Sequence, residues 1–479
     1  MIRYRISAMI SGLILATAIN GQYSGFNLSQ YKLPDIKLNK LDFNFNLNHV
    51  KDNNITRQSF LDERKSIANN FSGALNLTYF HYQNSEKYQG DLSAGISSQP
   101  SLNTNRQNEL ESTDNSLSTG LSFNSTNRFF NPKYFFIEVD PLLMANFQIR
   151  KDHNETSSTS TTDERNHNYS TTLSVPVSIG HGRIEPVEDA RLAIYILEEL
   201  NKAGRISNLP PDNVVIEMAK EISKIKNKRF FDSRLRKIEE LQSIDSFLVA
   251  NNIISAHDIS YFAVLNDQWD YASGPVRETG FAISAGFDNN ISLSKTNNEI
   301  TTIGNATVVN EYASDIYDLG GFLSIRYAKP VNLYWQNSLD VKSSLGRRFN
   351  RNPNDKSNPL QNFESNIFST DLTYSWQFLP NSRTSVQLSL HGFYDYSFSD
   401  QNTGTSDGGY HYIGNLISFL PALNIYYYIS PQMRLQLASS FTISSSINKT
   451  KFDNGDPDLK TSLNYYHHNI SLQFVYSFF

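Results

Sequence analysis

The chain has 479 residues, a formal net charge of -5 and no cysteine. Such a mild charge does not indicate a nucleic-acid partner, and no run of Lys or Arg resembles a polybasic patch. The lack of cysteine excludes disulfides, thiolate catalysis and Cys-ligated metals. The 26 Tyr and 31 Phe suit a surface between lipid and water, where the ring is buried and the hydroxyl stays hydrated.

Residues 1–21 predict an export signal. Arg3 and Arg5 precede an apolar stretch from Met9 to Ala18, and Ala16-Thr17-Ala18 fits the small-x-small cleavage rule. Cleavage after Gly21 fits nearly as well. The alternative is an N-terminal membrane anchor, for which the stretch is short, since a helical span needs about 20 residues.

Beyond that segment no window is apolar enough for a transmembrane helix, and the mean hydropathy is -0.44. An exported chain of this kind is either soluble or a β-barrel. In a barrel, lipid-facing and lumen-facing residues alternate, so the hydropathy averages out.

Long segments of the second half show this alternation. Near the C-terminus one face carries Ile470, Leu472, Phe474, Tyr476 and Phe478, and the other carries Asn469, Ser471, Gln473 and Ser477. The residues from Leu333 to Leu345 follow the same rule. A period of two predicts strands with one apolar and one polar face. A soluble sandwich also alternates, but its strands are rarely this long.

The segments between these strands form two classes. Short turns are expected at 131–132, 329–332, 379–382 and 430–432, and long polar loops at 151–166, 297–315, 349–363, 399–409 and 450–460. Outer-membrane barrels have short periplasmic turns and long external loops. With the C-terminus in the periplasm, residues 184–275 also fall on the periplasmic side.

Eleven strands are expected from residue 115 onward. Residues 71–114 add one or three more, depending on whether Lys40 to Val50 is a strand. Because both ends should be periplasmic, the total should be even. The predicted fold class is therefore an all-β transmembrane barrel, antiparallel, with 14 strands preferred and 12 as the alternative, and with an inserted small α-helical domain.

The insert differs in composition and in period. Between Glu185 and Asp270, 26 of 86 residues are charged, against 63 of the remaining 393. Apolar residues at helical spacing predict four short amphipathic helices: one from Pro186 to Gly204, one after Asp212, one through Leu235–Leu248, and one from Ser255 with Ile259 and Phe262 on its apolar face.

These patterns divide the chain into five parts. They are a signal peptide (1–21), a region before the barrel that includes a candidate first strand (22–70), the first part of the barrel (71–183), a periplasmic helical insert (184–275) and the second part of the barrel (276–479).

Residues 70–183 and 276–479 together resemble the outer-membrane β-barrel class. The chain ends Tyr476-Ser477-Phe478-Phe479, which is similar to the terminal-aromatic signal read by the barrel assembly machinery, although the apolar register runs through Phe478 rather than Phe479. The Asn- and Tyr-rich strands and the Gly21-Gln22 site are similar to the Bacteroidota version. The resemblance implies the outer membrane of a Gram-negative bacterium, with lipid and lipopolysaccharide around the barrel. It carries over no functional residues.

Two groups of residues are candidate sites. His181, Arg183 and Glu185 lie where a strand enters the insert and are candidates for a polar site at the periplasmic mouth. The favoured interpretation is structural, with Gly180 and Gly182 allowing a sharp turn and Pro186 starting the helix. Asp340, Lys342, Asp371 and His391 are predicted to face the lumen, where they either line a pore or pair with each other and close it.

No catalytic, metal or cofactor site is expected. Ser389 and His391 would share the lumen face, but such a pair arises easily by chance among ten histidines. His467 and His468 are adjacent and so point to opposite faces of a strand. The Asp-rich segment 453–458 is interpreted as a turn rather than a Ca²⁺ site.

Two functions remain open. The first is a channel or transporter for small solutes, with the helices as a plug or docking unit. The second is a non-transporting scaffold or secretion component that docks a periplasmic or outer-membrane protein through the insert.

Overall fold

The computed structural model describes residues 26–479 except 59–60, 108–109, 158–159, 207, 228–232, 255–256, 272–275, 352–362, 402–408, 431–432, 454–456 and 477–479. The expected export signal, the last three residues and the middle of the 453–458 segment lie outside the described residues.

Sixteen β-strands account for most of the structure. They are β1 (Ile36–Gln58), β2 (Leu61–Asn84), β3 (Tyr88–Gln107), β4 (Leu110–Phe130), β5 (Phe135–Val139), β6 (Leu142–Ser157), β7 (Ser160–Ser174), β8 (Val177–Pro186), β9 (Glu278–Thr302), β10 (Val308–Pro330), β11 (Trp335–Arg351), β12 (Phe363–Phe378), β13 (Thr384–Gln401), β14 (Tyr410–Ser430), β15 (Met433–Phe452) and β16 (Leu459–Tyr476).

The strands form one antiparallel sheet in chain order. β5 and β6 both pair with β4, while β7 and β8 both pair with β9. β5 with β6, and β7 with β8, is therefore one long strand interrupted by two residues. We count each of these pairs as a single pass of the chain along the barrel wall. The interruptions contain Pro141 and Pro176, which have no N–H to donate to a ladder. Sixteen segments therefore make fourteen passes, the number that the sequence favoured, and Lys40 to Val50 lies inside β1.

The two faces of the sheet differ in chemistry. One face exposes large apolar side chains, among them Phe43, Ile96, Leu121, Ile179, Phe287, Leu319, Leu345 and Leu472. In the register of β10 with β11, the other face carries pairs such as Arg326 opposite Asp340 and Phe322 opposite Ser344. An apolar surface of this extent is stable against lipid rather than water. The fold is an all-β barrel of the outer-membrane type.

β1 and β16 are the two edges of the sheet. No β1–β16 ladder is present among the described residues, and both strands are exposed along most of their described length. In lipid, unpaired backbone groups are strongly unfavourable, so closure of the barrel requires these two edges to meet.

Two of the five expected long loops are corrected by the structure. Residues 297–315 consist mostly of β9 and β10, with a turn at 303–307, and residues 151–166 consist mostly of β6, which ends at Ser157, and β7, which begins at Ser160. The middle parts of the other three, at 352–362, 402–408 and 454–456, lie outside the described residues. Strands of up to 25 residues extend well beyond the ~9–11 residues that cross a bilayer. The polar composition of these segments marked strand ends outside the membrane, where both faces are polar.

The insert forms four helices, α1 (Glu188–Lys202), α2 (Asp212–Lys226), α3 (Ser233–Ala250) and α4 (Ile259–Asp270). None of the described helices is long and apolar enough to cross a membrane. Two expected starts were wrong. Pro186 ends β8, so α1 begins at Glu188. The cap of α4 is Asp258, whose carboxylate accepts from the Tyr261 N–H at 3.0 Å.

The apolar face expected for α4 was also wrong. Ile259 is 89% exposed and Phe262 is 48% exposed, whereas Tyr261, Leu265 and Trp269 are buried. The helix thus begins three to four residues later than its pattern suggested and turns a different side inward.

Gly182 has a left-handed backbone in β8, at one of the two glycines for which the sequence suggested a structural role. Its φ is +108°, and a Cβ there would lie 2.0 Å from the carbonyl oxygen of Phe281 in β9. Only glycine fits this conformation and this close approach, just before the strand enters the helical unit.

We predict that Gly182→Ala lowers the free energy of unfolding of the barrel by about 2 kcal/mol or more, because the substitution adds both strain and a backbone clash. The fraction that keeps fast, unheated migration on an SDS gel measures this effect. Gly392→Ala is the matched control, since a Cβ at Gly392 meets nothing within 4 Å. Equal migration of the two variants would contradict the prediction.

Candidate functional site

The four helices lie at the end of the barrel where the short turns are. The helices are called the cap, and this end of the barrel is called the turn end. The buried core of the cap includes Leu333 from the β10–β11 turn, and it includes Phe26, Leu28 and Tyr31 from the segment that precedes β1. Leu379 of the β12–β13 turn is also fully buried. Turns from distant hairpins surround one unit, which shows that the sheet is curled around it.

α1 lies in the middle of this arrangement and is buried on nearly every side. One side contacts α2 and α4. The opposite side carries Arg191, Tyr195 and Glu198, all under 9% exposed, and the Tyr195 hydroxyl donates to the carbonyl oxygen of Leu379 at 3.2 Å. A helix that is buried all round lies inside a structure rather than on its surface. α1 therefore lies between the other helices and the turn end.

Arg277 anchors the junction between cap and barrel. It precedes β9, is 0% exposed, and donates to the carbonyl oxygens of Leu333 (2.6 Å), Asn332 (2.8 Å) and Trp335 (2.8 Å). Its Nε donates to Oε1 of Gln336 at 3.4 Å. One side chain thus fixes the last residue before β9 to the β10–β11 turn.

A second anchor joins α4 to the β12–β13 turn. Nη2 of Arg383 lies 2.6 and 2.8 Å from the two carboxylate oxygens of Asp267. The Arg383 guanidinium also lies over the Tyr271 ring, which meets Tyr428 of β14 edge to face. These groups are partly exposed, so the attraction is screened by water and contributes little stability.

Residues 26–35, called the N-terminal segment, cross the turn end. The Thr279 hydroxyl of β9 donates to Oγ of Ser29 at 2.9 Å, and Lys32 donates to the Tyr134 hydroxyl at 3.0 Å. The side-chain amide of Asn84, at the end of β2, donates to the carbonyl oxygens of Leu33 and Pro34. The segment therefore runs from the seventh pass to the first two, across the mouth.

The predicted mouth residues do not form one group. Arg183 pairs with Glu185 at 2.8 Å and donates to Asn84 Oδ1 and to the Ser85 and Glu86 carbonyls. His181 instead packs against the Phe135 ring on the outer face. The three residues have the spacing of one strand face, but Gly182 lies among them and its left-handed backbone separates them.

Of the predicted lumen residues, Asp340 and Lys342 take part in ion pairs, and His391 forms a hydrogen bond with Asp371. Asp340 accepts from Arg326 at 2.9 Å, Lys342 donates to Asp288 at 2.8 Å, and His391 lies 2.6 Å from Asp371. Arg348 forms a two-bond contact with Asp318 on the same wall. Charges of both signs therefore neutralise each other along the wall.

Sequence reasoning missed Arg277, Arg191 and the N-terminal segment. None of them belongs to a periodic pattern, and their partners lie far away in the chain. Among the described residues, no three His, Asp or Glu side chains are grouped as a metal site requires.

Comparisons with known proteins add little. No family model and no curated protein matches the chain. One solved structure, OmpTdeltaL8, a loop L8 deletion mutant of OmpT, an outer membrane protein of Vibrio cholerae, is 6% identical over 90% of this chain and 99% of that one, with a TM-score of 0.23. A likeness at that score carries no argument, so the class rests on the sheet itself.

The start of α1 contains an acid whose charged form is disfavoured. Burial of Glu188, with Asp189 beside it, raises its pKa from 4.5 to about 7, although Lys226 opposes the shift. Because the folded pKa is the higher one, the stability that Glu188 contributes is fully present below about pH 4.5. It is lost as the pH rises through about 7.

We predict that Glu188→Gln removes this pH dependence and stabilises the cap at pH 8. The measurement is the urea midpoint of the cap between pH 4.5 and 8, followed by the fluorescence of the buried Trp269. Glu217→Gln, on the exposed side of α2, is the control and should retain the wild-type pH profile. An unchanged profile in Glu188→Gln would show that Glu188 is not the titrating group.

Proposed function

We propose that the protein is a channel for small solutes in the outer membrane of a Gram-negative bacterium, as the Bacteroidota-like sequence implies, with the cap at its periplasmic end. The observation that supports this is a polar wall of fourteen passes whose turn end is covered by α1 and the N-terminal segment. A barrel of eight strands is filled by its side chains, whereas sixteen to eighteen leave an aqueous channel. A fourteen-stranded barrel is close to the second group.

The cover is held by apolar side chains of the N-terminal segment that are buried in the cap, and by polar contacts that are separate from the ladders of the barrel wall. The N-terminal segment makes single hydrogen bonds at Ser29 and Lys32, and the Arg383–Asp267 pair is partly exposed. Each such contact contributes about 1 kcal/mol or less. Movement of the N-terminal segment would open a path past α1 without unfolding the barrel wall.

We predict that the double variant Ser29→Cys/Thr279→Cys forms a disulfide that holds the segment across the mouth. The two side-chain oxygens are 2.9 Å apart, and the sequence has no other cysteine to compete. In planar bilayers, the oxidised protein should show fewer open events than the reduced protein, and a reductant should restore them.

The matched control is Ser343→Cys/Thr370→Cys, which joins β11 to β12 where the two oxygens are 3.0 Å apart and leaves the mouth untouched. Its conductance should not respond to oxidation. If the reduced and oxidised forms of the first variant conduct equally, the segment is not part of a gate. A folded wild-type barrel that never conducts would contradict the channel itself.

A second function is favoured by the outer side of the cap. Ile259 is 89% exposed, Phe262 and Ile238 are each 48% exposed, and Val249 is 46% exposed. Apolar side chains on the free side of α3 and α4 fit a periplasmic protein partner, for which the barrel would serve as an anchor.

We predict, for this second function, that a photo-crosslinking residue in place of Ile259 traps a protein in intact cells. The same residue in place of Lys220, on the exposed side of α2, should trap none. Absence of any adduct at Ile259 in correctly folded protein would remove the scaffold function from consideration.

A further inference from the structure

Arg191 on α1 is a buried cation that no carboxylate contacts among the described residues. The residue is 5% exposed, and its Nε and Nη1 are enclosed with no hydrogen-bond partner among the described residues. Its guanidinium lies 5.7 Å from the centroid of the Tyr195 ring, a contact that satisfies none of its donors. Buried guanidinium groups are normally paired, since an unpaired one is strongly destabilising.

A second cation lies close to Arg191. Arg277 is fully buried, and its acceptors are three backbone carbonyls and one amide oxygen, all uncharged. Burial and the positive charge of Arg191 lower the pKa of Arg277 to about 9. Within the part of the chain that the structure describes, the junction thus contains two guanidinium groups that no carboxylate contacts.

The nearest acid on α1 attracts Arg191 but leaves its donors free. Glu188 precedes Arg191 by three residues and favours the charged form of Arg191, yet Oε2 of Glu188 has no hydrogen-bond partner among the described residues. Asp189 pairs instead with Lys226 at 2.8 Å. Two unpaired donors of Arg191, with the guanidinium of Arg277 near them, are the features of an anion site.

We propose that Arg191 and Arg277 form a binding site for a small oxyanion, a carboxylate or a phosphate, at the junction between α1 and the turn end. The anion would accept hydrogen bonds from Arg191 and interact with the charge of Arg277, which is already tied to the β10–β11 turn. It would thereby hold the cap on the barrel. The limited exposure of Arg191 restricts the ligand to a small ion or to the end group of a larger solute. This inference does not require that the barrel conducts.

Hydrogen exchange of the full-length protein in detergent tests the site. Peptides from α1 are followed by mass spectrometry in sodium phosphate, sodium acetate and sodium chloride at equal ionic strength and pH. We expect α1 to exchange more slowly, in a saturable manner, with phosphate or with acetate than with chloride. The salt that acts at the lower concentration identifies the preferred class of oxyanion.

Arg191→Gln gives the decisive comparison. In chloride it should exchange more slowly than the wild type, because an unpaired buried charge has been removed, and it should no longer respond to phosphate or acetate. Arg191→Lys keeps the charge and should retain a weakened response, which covers the case in which the Gln variant folds poorly. Lys220→Gln removes an exposed charge from α2 and should behave as the wild type.

Two results would overturn the proposal. One is faster exchange of Arg191→Gln in chloride, which would show that a protein group already satisfies Arg191. The other is a wild-type protein whose α1 exchange is the same in all three salts.

Discussion

The structure depends on the need to pair every backbone N–H and C=O group that lies in lipid. The twelve inner passes meet this need by pairing with both of their neighbours in the chain, whereas β1 and β16 each have one paired neighbour among the described residues. Pro141 and Pro176 are tolerated because their interruptions face each other across the sheet. At these interruptions the Pro141 carbonyl accepts from the Ser125 N–H at 3.0 Å, and the Pro176 carbonyl accepts from the Asp140 N–H at 3.1 Å. The carbonyl oxygens of both prolines are therefore paired. Only the N–H groups that proline lacks leave missing hydrogen bonds in the ladder.

Because the ladder satisfies the backbone, side chains on the inner wall are free to be polar. The length and direction of each side chain decide which partner it contacts, and the partner need not be the residue opposite it in the ladder. Lys342 lies directly opposite Asp371 in the ladder, yet it bonds to Asp288 of β9, two strands away. Asp371 then pairs with His391 of β13. Each carboxylate of this group therefore has its own partner, a lysine for Asp288 and a histidine for Asp371, which leaves the wall polar.

The sequence contained the parts of the fold that follow from local periodicity. Strand alternation, the four helices and the number of passes could all be predicted, because each depends on residues two to four positions apart. The first and last residues of the elements could not be predicted in this way. The polar residues at 297–315 resembled a loop because a hairpin outside the membrane has no apolar face. His181, Arg183 and Glu185 have the spacing of one strand face, and the sequence suggested a turn at Gly180 and Gly182 but could not show which of the two glycines has the positive φ. Arg277 was missed because all its partners lie at least 55 residues away.

The core of the cap is shared with the barrel, and this limits how the cap can move. Leu333 from a barrel turn and Phe26, Leu28 and Tyr31 from the N-terminal segment are as buried in it as the helices' own residues. Complete departure of the cap would expose all of them together with the second side of α1, at a large hydrophobic cost. Loss of the N-terminal segment alone exposes a smaller part of that core and leaves Arg277 in place. Any opening of the mouth is therefore expected to begin at the N-terminal segment, with α1 held on the β10–β11 turn throughout.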